Sequence, residues 1–441
     1  MLPRRQFLAS LGLGLAAAPV WSTGLWSTGL PPAFAAEETN RPLASGARKK
    51  LAVVTTEWRY RSHAWHMAER FLAGYPVEGQ WHRPPFDVVS AYVDQKPEND
   101  LSADRAREFG FKIYPTVAEA LRCGGEELCV DAVLLIGEHG DYPLSDLRQT
   151  KYPRYEMFMQ IADVVEKDGR AIPVFNDKHL SWNLDWAFEM VARAQKLKIP
   201  FLAGSSLPVT WRMPSIEMPL GAEVEELMCI AIGSVDSYDF HALEVIQCMA
   251  ERRRGGESGV VALQALRGES VWKAFDAPSW QAGGWDPTLF EACLSRSQTL
   301  AQTPTGSHRY PTVEQIKTWV KEPVAYRIEY ADGVKATMLL LNGLVGDFTF
   351  AARLKGEARP LSTLFYLPPN PNVTYSASLM AQAEELFTTG APPYPIERTL
   401  LTTGLVQAGM ASLAQGGKRL ETPRLAGVKY QPPRKSTFAQ R

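Results

Sequence analysis

Cysteine is scarce in this chain and shows no pairing pattern: its 441 residues hold five, Cys123, Cys129, Cys229, Cys248 and Cys293, none of them in a Cys-x-x-Cys. An odd, sparse set is neither the dense framework of a small secreted disulfide domain nor a zinc-binding spacing, so no metal site is expected. An excess of one charge is missing too. The 47 Lys and Arg stand against 48 Asp and Glu, a formal charge of -1. That leaves no overall basic field to hold nucleic acid or an anionic membrane. With 45% hydrophobic and 22% charged residues, the composition excludes disordered, collagenous and polytopic membrane chains. What remains is a soluble catalytic or binding protein for a small molecule, long enough for two or three domains.

The first 36 residues stand apart. Arg4 and Arg5 precede Gln6, Phe7 and Leu8, a mildly apolar stretch runs on to Val20, and Ala33-Phe34-Ala35 offers small residues where a signal peptidase reads. Residues 1–36 are therefore expected to be a secretory signal of the twin-arginine type, which moves folded proteins. The mature chain would then work in the periplasm or outside the cell, clear of the membrane. A protein folded before export needs no disulfides, in keeping with the cysteine usage.

From Lys49 apolar strands alternate with amphipathic helices. Leu51-Ala52-Val53-Val54-Thr55 is a continuous apolar run of the kind buried on both faces of a parallel sheet. Ser62 is placed to cap a helix with Ala64, Met67, Ala68, Phe71 and Leu72 along its inner face. Residues 87–93 read as a second strand ending at Asp94. Strands near 112–114, 131–136, 171–175 and 201–203 follow, with helices at 102–109, 117–121, 153–168 and 184–197 between them. Repeated strand–helix units force a parallel sheet with right-handed crossovers, so 48–205 is expected to be a Rossmann-like dinucleotide-binding domain. Beyond Gly204 the pattern changes. A strand at 223–233 and a helix at 239–252 precede strands at 258–267, 324–331, 335–341, 346–355 and 361–367, with Asp332-Gly333 and Asn342-Gly343 as turns. Helices at 373–389 and 394–415 complete an α+β domain, 206–425, with a large, mostly antiparallel open sheet. Residues 276–312 follow no clear pattern, and 426–441 reads as an extended tail.

In a dinucleotide fold the pyrophosphate lies on the first helix N-terminus, and an acid ending the second strand takes the adenosine ribose. Asp94 occupies that acid's place, and it would favour NAD over NADP by repelling a 2′-phosphate. The phosphate turn departs from the pattern. Gly-x-Gly-x-x-Gly lets the backbone approach the pyrophosphate, yet Thr55-Thr56-Glu57-Trp58-Arg59-Tyr60-Arg61-Ser62-His63 contains no glycine. Thr55, Thr56, Arg59 and Arg61 remain as candidate cofactor contacts, the arginines either through charge-assisted bonds or as solvated loop cations. His63, His66 and Glu69 share a helix face, without the further ligand that a metal needs.

Further along, Val130-Asp131-Ala132-Val133, then Phe175-Asn176-Asp177-Lys178-His179, then Phe201-Leu202-Ala203-Gly204 follow in an order that resembles the glucose–fructose oxidoreductase / inositol dehydrogenase (Gfo/Idh/MocA) family. The resemblance covers nearly all of the mature chain. It implies a bound nicotinamide cofactor, NAD or NADP, and hydride transfer at a hydroxyl of a sugar, polyol or glycoside. It also implies a homo-oligomer, since the open sheet of such proteins often serves as a dimer face. The family carries its lysine in a Glu-Lys-Pro motif: Lys178 takes the lysine's place, Asp177 the glutamate's and His179 the proline's. His241 looks like the histidine of an Asp-x-x-x-His pattern whose aspartate would fall at Ser237, with Asp236 and Asp239 flanking it as acidic partners. Gly137, Glu138 and His139 follow the strand whose loop meets the cofactor. Arg212, like His179, is expected to face substrate. A histidine titrates in the right range to take a hydroxyl proton, and a lysine can hold the same oxygen.

Two functions of different classes follow. One is an exported NAD(P)-dependent oxidoreductase carrying its cofactor bound. The other, favoured by the glycine-free turn, is a carbohydrate-binding or scaffold protein that has lost the cofactor. Redox-assisted glycoside cleavage would use the same residues as the first.

Overall fold

The computed structural model describes residues 48–77, 79–306, 309–369 and 374–439; the signal expected at 1–36 lies outside them. Six parallel strands form the first half. Leu51 to Thr55 and Ala132 to Ile136 are wholly buried, as continuous apolar runs must be when helices cover both faces. Numbered in chain order, Lys49–Thr55, Phe86–Val93, Lys112–Tyr114, Ala132–Ile136, Val174–Asp177 and Phe201–Gly204 lie side by side as 3-2-1-4-5-6. That is the strand order of dinucleotide-binding folds. Helix His63–Ala73 is capped by Ser62, whose Oγ accepts from the Trp65 N–H, and it buries the five residues its spacing predicts.

The second half is an eight-stranded sheet. Its order is Leu420–Glu421, Val260–Arg267, Val324–Tyr330, Lys335–Leu340, Val224–Ala231, Phe348–Leu354, Leu361–Tyr366, Trp211–Met213. Only Val224–Ala231 with Lys335–Leu340 pairs in parallel. Asp332-Gly333 closes a hairpin, as its chemistry suggests. Asn342-Gly343 does not. Val224–Ala231 is inserted between the strands that flank it, so the chain crosses over there.

The segment without a sequence pattern contains the helix Pro287–Leu294 and leads into Val313–Trp319. With Glu269–Phe275, these place Trp285, Leu289, Phe290 and Ile316 on Met228, Ile230 and Leu339 of the sheet. The opposite face, with Leu227, Cys229 and Phe350, packs on helices Tyr238–Ala250 and Ile396–Ala414. Both faces of the sheet thus carry helices of the same chain. Helix Tyr375–Thr389 returns to the parallel sheet beside His63–Ala73. Residues 431–439 of the expected tail have no helix or strand, but the tail lies against the rest of the chain: Tyr430 bridges to Glu257, and Phe438 is buried. No helix among the described residues is long and apolar enough to cross a membrane.

Candidate active site

A cavity of about 260 Å3 lies at the carboxyl ends of the parallel strands, where open α/β sheets bind ligands. Arg61 and His63 follow the first strand, Glu138 and His139 the fourth, Asp177 and Lys178 close the fifth, and Ser205 follows the sixth. Ser237, His241 and Phe348 complete it from the second half. Arg61, His139 and Lys178 hold φ angles of 64, 73 and 61°. Non-glycine residues adopt that left-handed conformation only where their surroundings impose it, and such residues cluster at functional sites.

Two buried carboxylates organise the cavity. Glu138 Oε1 lies 3.0 Å from Lys178 Nζ, and its Oε2 is held by the Arg154 guanidinium. Burial alone would raise the Glu138 pKa, but Lys178 and Arg154 overrule it and hold the carboxyl well below its usual range. Lys178 Nζ also donates to Ser237 Oγ at 3.3 Å. The second carboxylate is Asp177, whose Oδ2 lies 2.6 Å from His63 Nδ1 while its Oδ1 is buried without a hydrogen-bond partner. Three other imidazoles surround this pair. Burial, with His63 nearby, pushes His66 and His139 down to about 3. Burial and the Lys178 charge drive His241 well below its usual value. These three are neutral at physiological pH.

No family model and no curated protein matches the chain. Solved structures do. GenD2 from gentamicin A biosynthesis, solved in complex with NAD, is 13% identical with a TM-score of 0.53 over 86% of this chain and 99% of that one. A protein assigned as a myo-inositol dehydrogenase from Sinorhizobium meliloti 1021 is 12% identical with a TM-score of 0.50 over 85% and 99%. This chain shares the fold of these two structures. At such identities the likeness is one of architecture, and the resemblance read from the sequence holds at that level.

Within this shared fold, Lys178, His241, Glu138, His139, Asp177 and Arg61 come together on the cavity. Other expected site residues do not. Asp236 accepts from the Thr150 N–H at 2.8 Å and from Gln149, and Asp239 accepts from the Tyr326 hydroxyl at 3.0 Å. Neither reaches His241, whose Nδ1 is buried without a partner. His179 is buried behind the cavity, 3.1 Å from Arg154 Nη1. Arg212 is no cleft arginine. It lies buried 4.7 and 4.2 Å from the ring centres of Phe365 and Phe438 and donates to the Pro208 and Ile216 carbonyls. Sequence reasoning missed Arg154, weighed Ser205 only as a nucleophile and set it aside for want of Gly-x-Ser-x-Gly, and weighed His63 only as part of a metal face. The available signal was the density of Arg and His from Arg59 to His66, directly after the first strand.

A dinucleotide would have to lie along the ends of the first, second and fourth strands. Instead of turning, Thr55 and Thr56 prolong the strand: their carbonyls accept from the Asp94 and Gln95 N–H groups, and the Thr56 N–H donates to Ile136. Their hydroxyls donate to the Ile136 and Glu138 carbonyls. Trp58 is fully buried and stacks on Phe111, and Arg59 pairs with Glu57 at 2.6 Å. At the helix N-terminus Ser62 Oγ accepts from the Arg59 and Trp65 N–H groups, and the His63 N–H meets His139 Nδ1 at 3.4 Å. A phosphate cradle needs such N–H groups free. Gly137 makes room for Arg154, whose Cγ would lie 2.5 Å from an added Cβ. Asp94 accepts from the Tyr92 and Tyr142 hydroxyls, both at 2.6 Å. Gln95 and Asp141 are joined by two hydrogen bonds, bridging the second and fourth strands across the first. The residues present do not fit a dinucleotide lying across this edge.

Proposed function

We propose that this chain is an acid–base enzyme for a carbohydrate-like small molecule, working with its own side chains on an oxidoreductase fold whose dinucleotide groove is filled. The observation that carries the reading is the arrangement of two buried carboxylates, each bound to a base on one cavity: Asp177 to His63 and Glu138 to Lys178. Drug-sized ligands occupy pockets of about 300–1,000 Å3, so the 260 Å3 here suits a single ring. Ser205, Asp177, His66 and His241 line it, and each carries a buried side-chain atom without a protein partner. A polyhydroxylated ring offers donors and acceptors to all four. The name of the inositol dehydrogenase neighbour supports the same ligand class. The twin-arginine pattern at 1–36 and five free cysteines support a protein folded before export to the periplasm or cell exterior.

A second reading is NAD(P)-dependent oxidation of the ligand's hydroxyl, favoured by the fold and by Lys178 and His241 sharing the cavity. Purified full-length protein separates the two: co-purifying nicotinamide is sought by mass spectrometry, and thermal unfolding is followed with NAD, NADP and a set of monosaccharides and cyclitols. The expected result is no nicotinamide, no response to either dinucleotide, and stabilisation by a sugar or cyclitol. Bound nicotinamide would establish the second reading. Stabilisation by none of the sugars or cyclitols would remove the carbohydrate assignment.

A further inference from the structure

We propose that His63, steered by Asp177, is the general base of this site, and that Lys178 acts beside it as a fixed ammonium. The proposal rests on the acid–base reading above and names the group that takes the proton.

Four imidazoles and one amine lie around the cavity, and their partners set them apart. Lys178 contacts the buried Glu138 carboxylate at 3.0 Å, so loss of its proton would leave that carboxylate with one cation fewer. His66 and His241 have no carboxylate within hydrogen-bond reach, and His139 is beside the His63 backbone N–H. Only His63 has a carboxylate on its ring, at 2.6 Å, and that carboxylate is fully buried. The contact fixes Nδ1 as the donor and leaves Nε2 as the nitrogen open to a ligand.

In the step assigned to His63, a ligand O–H bond breaks and the proton passes to Nε2. The electron pair stays on the ligand oxygen, which faces the Lys178 ammonium, while Asp177 steadies the imidazolium. The step assigned to His63 is this proton transfer alone: an O–H bond breaks, an N–H bond forms at Nε2, the reverse transfer restores the neutral ring, and no oxidant enters. Asp177 is a positioning residue, acting through the ring it holds.

The test needs no ligand at its first stage. Histidine side-chain 15N NMR of the full-length protein should find the neutral His63 ring with its proton on Nδ1. Asp177→Asn, whose amide can offer that nitrogen either a donor or an acceptor, should loosen the preference and populate the tautomer protonated on Nε2. A proton on Nε2 in the wild type, or an unchanged tautomer in the folded variant, would overturn the assignment. Should Asp177→Asn not fold, diethyl pyrocarbonate labelling of the wild type decides: among the cavity histidines His63 is modified before His66, His139 and His241, and preferential modification of His241 overturns the proposal. With a turnover assay, Asp177→Asn should lower kcat by about 10²–10⁴ with KM nearly constant, and a change in KM alone counts against it. A missing sugar response would remove the carbohydrate reading and leave the NMR result standing.

Discussion

Glu138 is one carboxylate shared between two buried cations, Lys178 and Arg154. Replacing it by Gln keeps the shape and leaves both cations without a counter-charge, a loss of about 3–5 kcal/mol for a broken buried pair. Its carboxyl is held below the usual range, so its contribution is complete above the ordinary carboxylate pKa of about 4.3 and is lost as pH falls through the lower folded value. Glu138→Gln should therefore unfold at lower temperature near neutrality and lose less further stability than wild type on acidification, as calorimetry between neutral and acid pH will check. The strand-end positions of Glu138, Lys178 and Asp177 were legible in the sequence, because apolar runs mark where strands stop. Their pairings were not. Glu138 and Lys178 are separated by a helix and a strand, and no periodicity specifies which cation meets which carboxylate. Arg154 was invisible for the same reason: it begins a helix and reads as an ordinary surface cation until Gly137 is seen making room for it.

Helix Tyr238–Ala250 shows how an element divides its residues between chemistry and core. Its His241 faces the cavity, while Asp239 and Glu244 are turned into the interior. Burial pushes each of these carboxyls up to about 7. An unfolded carboxyl titrates near 4, so folding takes up protons between about pH 4 and 7. Their contribution is full below that window and is lost as pH rises through 7. Asp239→Asn cannot ionise and can keep both contacts, its Oδ1 accepting from the Phe240 N–H and its Nδ2 donating to the Tyr326 hydroxyl oxygen. The variant should be more stable than wild type at pH 8, with the gain shrinking toward pH 5, in thermal melts across that range. Ligand binding should be unchanged, because Asp239 does not line the cavity; a collapse of binding in a folded variant would restore it as the acidic partner of His241. Elements of this size were readable from their apolar spacing. The three short helices over the sheet were not, since seven or eight residues barely complete one repeat. The Asn342-Gly343 crossover was hidden differently: turn chemistry is local, whereas insertion of Val224–Ala231 between its flanking strands is a long-range event.

Across the whole molecule, the chain covers surfaces that the fold leaves open. One face of the large sheet is closed by the segment from Glu269 to Trp319, and the edge near Trp211–Met213 by the C-terminal residues. The Ala439 N–H donates to the Val209 carbonyl, Phe438 stacks on Arg212, and the Pro433 carbonyl accepts from Arg252. The Tyr430 hydroxyl donates to Glu251 at 2.8 Å, beside the buried Arg398–Glu251 pair at 2.5 Å. Ending the chain at Gly427 would remove all of these together and open buried charge to water. Each buried polar group left unsatisfied costs about 1–3 kcal/mol, so the truncated protein should melt well below the full chain. Arg212→Met in the truncated background should recover part of the loss, because it removes the guanidinium that the missing Phe438 ring no longer covers. The same substitution in the full chain should leave ligand binding intact, since Arg212 sits outside the cavity. If binding fails there while the fold holds, the tail and the cavity are coupled through the edge strand, and Arg212 regains the substrate role its sequence position suggested.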